Sequence, residues 1–293
     1  MNAPAAVLPD AVTKPRRTAT RWPRPTVVAA GLAAAVLVIA VLAPGVLATQ
    51  PPIDVDLGQA LSAPSTEHLL GTDQLGRDIF SRLVFGARYS ILMGLSATVL
   101  AVLAGTVIGL FAALAGRRVD TVVTRGIDIV MAFPGILLSL LVIAILGQGV
   151  GSIVAAIAVA ESASYARLVR SQAVVVRNAE YVRASVALGR TPGYRVLHHI
   201  VPNSLRPTFV LATLGVGSSI MIGSALSFLG LGPTDPTPEW GSMLAAGREL
   251  LSKSWWAAVP PGAAITLTVI TVTVLGRALQ QRWEVGRAGT ARR

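Results

Sequence analysis

The sequence predicts an all-α integral membrane protein with about six transmembrane helices and both termini on the cytoplasmic side. Three observations predict it. Of 293 residues, 53% are hydrophobic and 13% charged, about half the charged fraction of a soluble domain. Mean hydropathy is +0.65, and the apolar residues gather in runs long enough to cross a bilayer. Lys and Arg are concentrated in alternate connections between those runs.

A span needs about 20 mostly apolar residues. Residues 27–48 carry no charge and form the first span. This run exceeds the usual secretory h-region of about 7–15 residues, so it reads as a retained span rather than a cleaved signal. The second, 88–116, is rich in small residues and ends at Gly116-Arg117-Arg118. The third fits 121–146, the fourth 150–168, the fifth 207–230, and the sixth 258–280, opening at Pro260-Pro261. The chain therefore divides into a cytoplasmic tail (1–26), a first span (27–48), an extracytoplasmic segment (49–87), a five-helix core (88–280) with an inner loop at 180–203, and a cytoplasmic tail (281–293). The Pro/Ala-rich first 25 residues are expected to form no packed element.

Orientation follows from Lys and Arg, which stay with cytoplasmic connections. Residues 1–26 hold five, 117–125 three, 167–206 seven, and the tail from Arg277 five. The outer connections hold only Arg77, Arg82, Arg88, Arg248 and Lys253. The net charge of +11 is thus a membrane-orientation charge. No basic patch is interleaved with base-stacking aromatics, so nucleic acid is not an expected partner. The chain has no cysteine, which removes disulfides, thiolate nucleophiles and Cys-ligated metals. It has no Gly-Lys dipeptide, hence no Walker A loop. No cofactor is expected on this chain, and any ATP and Mg would sit on a partner.

The inner segment reads as helix, break, helix. Residues 180–188 are good helix formers with an apolar face at Val182, Val186 and Leu188. Gly189 suits the left-handed position that ends a helix. Thr191 can cap the next, with Pro192 at its first position, and Pro202 is expected to interrupt the pattern before the fifth span. The small residues Ala184, Ala187 and Gly189 would let a soluble partner approach the backbone. An ordinary cytoplasmic loop is the alternative. In the outer segment, Gly71 and Gly76 permit tight turns. Asp73 or Asp78 can cap a helix start, and Asp78 and Arg82 form an i,i+4 pair. Ile79, Phe80, Leu83 and Val84 share an apolar face, so a short helix on the outer membrane surface is expected. It either braces the second span or contacts a binding protein.

Several motifs occur in order along 65–280. They are His68-Leu69-Leu70-Gly71-Thr72-Asp73-Gln74-Leu75-Gly76-Arg77-Asp78, Gly86-Ala87-Arg88-Tyr89-Ser90, Tyr165-Ala166-Arg167-Leu168-Val169-Arg170, Leu226-Ser227-Phe228-Leu229-Gly230 and Pro238-Glu239-Trp240-Gly241-Ser242. Together they resemble the C-type permeases of the dipeptide/oligopeptide/nickel importer family. Ala184, Ala187-Leu188-Gly189 and Ile200-Val201-Pro202 resemble the EAA loop of ABC importer permeases. Arg183 stands where that family has Glu, Ser185 where it has a second Ala, and Val201 where it has Leu. The resemblance implies the type I ABC importer permease fold in a bacterial-type plasma membrane. It implies a coupling loop, containing Arg183, Ala184, Ser185, Ala187, Leu188, Gly189, Ile200 and Pro202, that docks on a cytoplasmic ABC ATPase. A homologous B-type permease subunit and an extracytoplasmic substrate-binding protein are the other implied partners. Di- and oligopeptides are the implied substrates, with nickel or another metal chelate as the alternative.

Within the spans, Arg125 and Asp128 at i,i+3 are expected to pair. Glu161 has no partner on its own helix. A carboxylate at that depth must face a bundle interior or a wet cavity, so Glu161 is a candidate for the substrate pathway or for an interhelical hydrogen bond. His198 and His199 point about 100° apart on a helix, which does not suit chelation of one ion, and no metal site is expected. An intramembrane enzyme would need paired catalytic groups at one depth, whereas Asp128 and Glu161 lie on different helices at different depths. A passive channel would differ in needing no ATP.

Overall fold

A computed structural model describes residues 24–290, with side chains described for residues 25–281. Most of the tail at 1–26, and the end of the tail at 281–293, lie outside the described residues. Among the described residues there is no strand, only an isolated bridge between Thr72 and Asp78. The helices are α1 (Arg24–Leu42), α2 (Ile79–Leu114), α3 (Arg117–Ala132), α4 (Gly135–Leu146), α5 (Val150–Arg177), α6 (Glu180–Ala187), α7 (Pro192–Leu231), α8 (Trp240–Arg248) and α9 (Val259–Thr290). Five of them are long and apolar enough to cross a membrane, and α3 with α4, counted as one bent span, would make a sixth crossing.

That sixth crossing is not the straight helix expected over 121–146. It bends by 96° between Ala132 and Gly135. Pro134 accounts for the break, because it lacks an N–H and pushes the preceding Phe133 to an extended conformation (ψ 136°). Pro44 acts likewise on the first span: α1 stops at Leu42, and a separate turn, Pro44–Leu47, follows.

α2 is the spine. Its 36 residues extend roughly 54 Å at 1.5 Å per residue, well beyond a ~30 Å hydrocarbon layer. The expected surface helix near 79–85 is therefore the outer end of this spanning helix. Ile79 and Val84 are buried there, and Val84 packs in a cluster with Ala40, Ala87, Trp240 and Met243. Further in, Met93 and Ala97 of α2 meet Ile143, Ile153, Ile157 and Leu226. At the inner end Ala113 meets Ala173, Val176, Val182 and Ile200.

Between these clusters α2 crosses α5 backbone to backbone. A Cβ on Gly105 would lie 2.5 Å from the Tyr165 Cβ and 2.7 Å from the Ser162 carbonyl oxygen, and one on Gly109 would lie 2.5 Å from the Ala166 carbonyl oxygen. Gly105 and Gly109 are four apart on one face, the small-residue spacing that lets membrane helices touch closely.

Gly109→Val should destabilise the folded protein by about 1–3 kcal/mol through overpacking, read as a lowered unfolding temperature in detergent. Gly126→Val, at a position where an added Cβ meets nothing within 4 Å, should shift it far less. Equal shifts would contradict the close-crossing account.

Candidate functional site

Three places hold the residues singled out from the sequence. The first is the outer clasp. Gly71 and Gly76 both have positive φ, 73° and 74°. At Gly76 a Cβ would collide with the Asp56 carbonyl oxygen, so only glycine lets the two strands of this loop pass. Thr72 is fully buried, donates to the Gln59 carbonyl and accepts from the Ser62 N–H at 2.8 Å. Asp78 caps α2 by accepting from the Ser81 N–H at 2.8 Å, and His68 bridges it at 3.1 Å to Gln59 at 2.7 Å. Asp73 accepts from the Leu75 and Arg77 N–H groups at 2.8 and 3.0 Å.

The expected Asp78–Arg82 ion pair does not form. With Asp78 committed to the cap and to His68, Arg82 turns to Asp73 at 3.6 Å and Asp235 at 3.8 Å, and donates to the Pro52 carbonyl at 3.0 Å. Arg77 bonds the same two carboxylates at 2.7 and 3.0 Å. Two arginines, each 4% exposed, are thus neutralised by Asp73 and Asp235. They border a cavity of about 210 Å³ shared with Met243 and Gly247 of α8. Asp235 escaped the sequence reading. The signal was an unassigned acid beside the 238–242 motif.

The motif at 238–242 fastens α8 to α2. Glu239, fully buried, accepts from the Gly241 and Ser242 N–H groups at 3.0 and 2.9 Å and from the Ser90 hydroxyl at 2.9 Å. The Trp240 N–H donates to Ser90 Oγ at 3.1 Å, and its indole donates to the Leu83 carbonyl at 2.8 Å. Two motifs recognised separately therefore form one bracing unit.

The second place is the inner loop. α6 ends as expected: Gly189 has φ 71°, its N–H bonds the Val186 carbonyl at 2.9 Å, and the Arg190 N–H bonds that of Ser185 at 3.1 Å. This is a Schellman ending. Thr191 caps the following turn by accepting from the Tyr194 N–H at 3.3 Å. Two expectations fail. Of the face at Val182, Val186 and Leu188, only Val182 is buried, while Val186 is 51% and Leu188 79% exposed. The inward pair is Val182 and Ser185 at i,i+3, and the Ser185 hydroxyl has no hydrogen-bond partner. Nor does Pro202 end the helix. A π-helical turn, Val196–Ile200, precedes it, and the Val201 N–H reaches back five residues to the Val196 carbonyl. That wider turn accommodates a proline that has no N–H to offer. The loop therefore consists of one short helix, α6, and the first turns of α7. Arg183, Ala184, Ala187, Leu188, Gly189 and Pro202 are exposed, and Ile200 is buried.

The third place lies along α5, where it meets α3 and α7. Arg125 and Asp128 do not pair. Asp128 instead accepts from Arg167 at 2.5 Å, and Asp120 accepts both guanidinium N–H groups of Arg170, one at 2.7 Å. Arg167 and Arg170, in the 165–170 motif of α5, thus tie α3 to α5. Glu161 is half-buried and accepts from the Ser218 and Ser219 hydroxyls of α7 at 3.0 Å each, the interhelical bond foreseen as one alternative. Ser219 also bonds Thr98 of α2 at 2.9 Å, so a polar layer joins α2, α5 and α7. A cavity of about 350 Å³ opens beside Glu161, bordered by Ser164, Tyr165, Leu211, Gly215 and Ser218. The adjacent serines Ser218 and Ser219 in the fifth span were the sequence signal for Glu161's partners. Among the described residues no three His, Asp or Glu side chains gather as metal ligands.

Known proteins resemble this chain at the level of sequence and of fold. The family described as binding-protein-dependent transport system inner membrane component matches residues 105–285. The dipeptide transport system permease protein DppC of Alkalihalophilus pseudofirmus is 41% identical over 244 residues, covering 83% of this chain and 80% of that protein. The di/tripeptide transport system permease protein DppC of Pseudomonas aeruginosa is 40% identical over 230 residues, covering 78% and 74%. The glutathione transport system permease protein GsiD of Pectobacterium atrosepticum is 37% identical over 225 residues, covering 77% and 75%. Among solved structures, inward-facing MetNI methionine ABC transporter superposes with TM-score 0.54 at 19% identity, over 70% of this chain and 95% of that one. An amino acid ABC transporter with histidines gives TM-score 0.50 at 18% identity, over 69% and 94%. These two likenesses establish the fold.

Asp73→Ala should loosen the outer clasp strongly, because it leaves two buried guanidiniums short of a counter-charge. Breaking a buried pair costs about 3–5 kcal/mol. Asp235→Ala removes a carboxylate whose side chain is 62% exposed and should cost about 1 kcal/mol or less. Protease cleavage within 49–78 and the unfolding temperature should rank the two variants in that order.

Proposed function

The chain belongs to the family of binding-protein-dependent transport system inner membrane components, and from that premise we propose that it is the C-type permease subunit of an ATP-driven importer carrying di- and oligopeptides into the cytoplasm. The observation that carries this reading is the 41% identity over 244 residues to a dipeptide permease. The chain sits in the plasma membrane as a multi-pass protein with α6 and both tails (1–26 and 281–293) on the cytoplasmic side, an orientation supported by the concentration of Lys and Arg in the inner connections.

The inner loop is the coupling element. α6 rests on the bundle through Val182, and Ile200 closes the base of α7 in the same cluster. That leaves Arg183, Ala184, Ala187, Leu188 and Gly189 outward. Small side chains around an exposed leucine suit insertion into a groove on an ABC ATPase, where the ATP and Mg are held. Arg183 replaces the acidic residue of the family pattern, so an acidic contact from this position is absent and a carboxylate on the ATPase is its complement. An extracytoplasmic binding protein delivers the substrate on the outer side, where the clasp braces the bundle. A homologous B-type subunit completes the pathway. This chain contributes no covalent chemistry of its own.

Peptide uptake by cells should require this chain and ATP, and uptake independent of ATP would favour a channel. Cysteines placed at Arg190 or Gly193, both exposed, should resist an impermeant reagent in intact cells and react in inverted vesicles. Gly189 gives a sharper test. A Cβ there meets nothing within 4 Å, so its constraint is backbone conformation alone. Gly189→Val should insert normally and lose uptake and peptide-stimulated ATP hydrolysis. Gly189→Asn, which tolerates positive φ, should retain most of both. Full transport by the valine variant at normal expression would remove the coupling assignment.

A further inference from the structure

The face of α5 that carries Glu161 is polar where a lipid-facing helix would be apolar. Glu161 is half-buried, and Ser164, Arg167 and Ser171 are exposed. At 100° per residue these four fall within an arc of about 120°, so they form one stripe. It begins eleven residues into α5, about 16 Å from its outer end, close to midway through a ~30 Å core. Above that level the stripe's continuation is Ile153 and Ile157, which are buried. Exposed polar side chains at that depth cannot face hydrocarbon, so water or a polar partner covers them. At the head of the stripe is the 350 Å³ cavity. Tyr165 and Gly215 both border it, and Gly215's missing side chain makes room for the Tyr165 hydroxyl, which would lie 2.0 Å from a Cβ there. The two serines use one lone pair on each Glu161 oxygen. A carboxylate has about four acceptor sites, so capacity remains on the cavity side.

We propose that the Glu161 cavity is a transient binding site for a primary ammonium group, the α-amine of a peptide in passage. This rests on the importer reading above. Ser218 and Ser219 hold the carboxylate in place from α7, and the polar stripe leads from the site toward the inner face. Arg167 on that stripe is balanced by Asp128, so Glu161 supplies the uncompensated negative charge on this surface. A single carboxylate already shared with two hydroxyls binds weakly, which suits a site that must release its cargo.

The test exploits the absence of cysteine from this chain. Ser164→Cys is introduced, the full importer complex is placed in lipid nanodiscs, and modification of this chain is followed by mass. A cationic aminoethyl methanethiosulfonate should react about tenfold faster than its anionic sulfonatoethyl counterpart, the enhancement a focused local field provides. Glu161→Gln in the same background should bring the ratio to about one, and Glu161→Asp should preserve it. Alanyl-alanine amide should slow the modification, while N-acetyl-alanyl-alanine amide at equal concentration should not. A thiol unreactive to both reagents, equal rates with Glu161 present, or equal protection by both peptides would overturn the site. If Glu161→Gln fails to assemble, the rate ratio and the peptide protection on Ser164→Cys alone decide. Dipeptide uptake by the unsubstituted complex is measured alongside. Its absence would count against the importer reading itself, whereas uptake without charge discrimination would count against the Glu161 site only.

Discussion

The backbone contact between α2 and α5 is the constraint from which the remaining geometry follows. Lipid tails are as apolar as leucine, so helices in a bilayer gain little from hiding apolar surface and associate through close packing and polar contacts. Gly105 and Gly109 allow that closeness. Once α5 is fixed against α2, Tyr165 is directed toward α7, Arg167 and Arg170 toward α3, and Val176 toward the base of the inner loop. Each functional region is thus attached to the same pair of helices, at successive levels of one 36-residue element.

The spans, the helix–glycine–helix form of the inner loop and its caps were legible in the sequence because each depends on local rules: run length, a left-handed glycine, a threonine before a proline. Pairings across helices were not. Arg125 and Asp128 are near in sequence, yet α3 and α5 together offer Asp128 a better donor in Arg167. Asp78 and Arg82 have suitable spacing, but the first turn of a helix needs a cap, and His68 claims the remaining carboxylate oxygen. Proline was read with one rule and behaves in two ways. At Pro134 the helix breaks, while at Pro202 a widened turn absorbs it. What separates the cases is the surrounding packing, with Ile200 and Ser204 buried beside Pro202 and Phe133 to Leu137 exposed around Pro134.

Charge is used differently at the two faces. Outside, Arg77 and Arg82 are buried and matched to Asp73 and Asp235, which makes the motif at 71–78 a fastening more than a contact surface. Inside, the outward residues of α6 are Glu180, Tyr181 and Arg183 with the small or apolar Ala184, Val186 and Ala187. The resemblance to peptide permeases drew attention to both motifs equally, but burial separates them: one holds the protein together, the other faces away from it.

The continuity of α7 has a mechanical consequence. Its first turn, Pro192–Arg195, belongs to the inner loop, and its last residue, Leu231, accepts a hydrogen bond from Gly149 at the outer end of α5. From Pro192 to Leu229, just before Gly230 leaves the helical range with φ 84°, the element extends roughly 57 Å at 1.5 Å per residue. Had Pro202 broken it, a push on the inner end would have been spent at a joint. As a lever, a tilt of about 10° about the inner end carries the outer end through about 10 Å, for a rod of that length. Ser218 and Ser219, roughly two-thirds of the way along, would be drawn away from Glu161 by the same stroke.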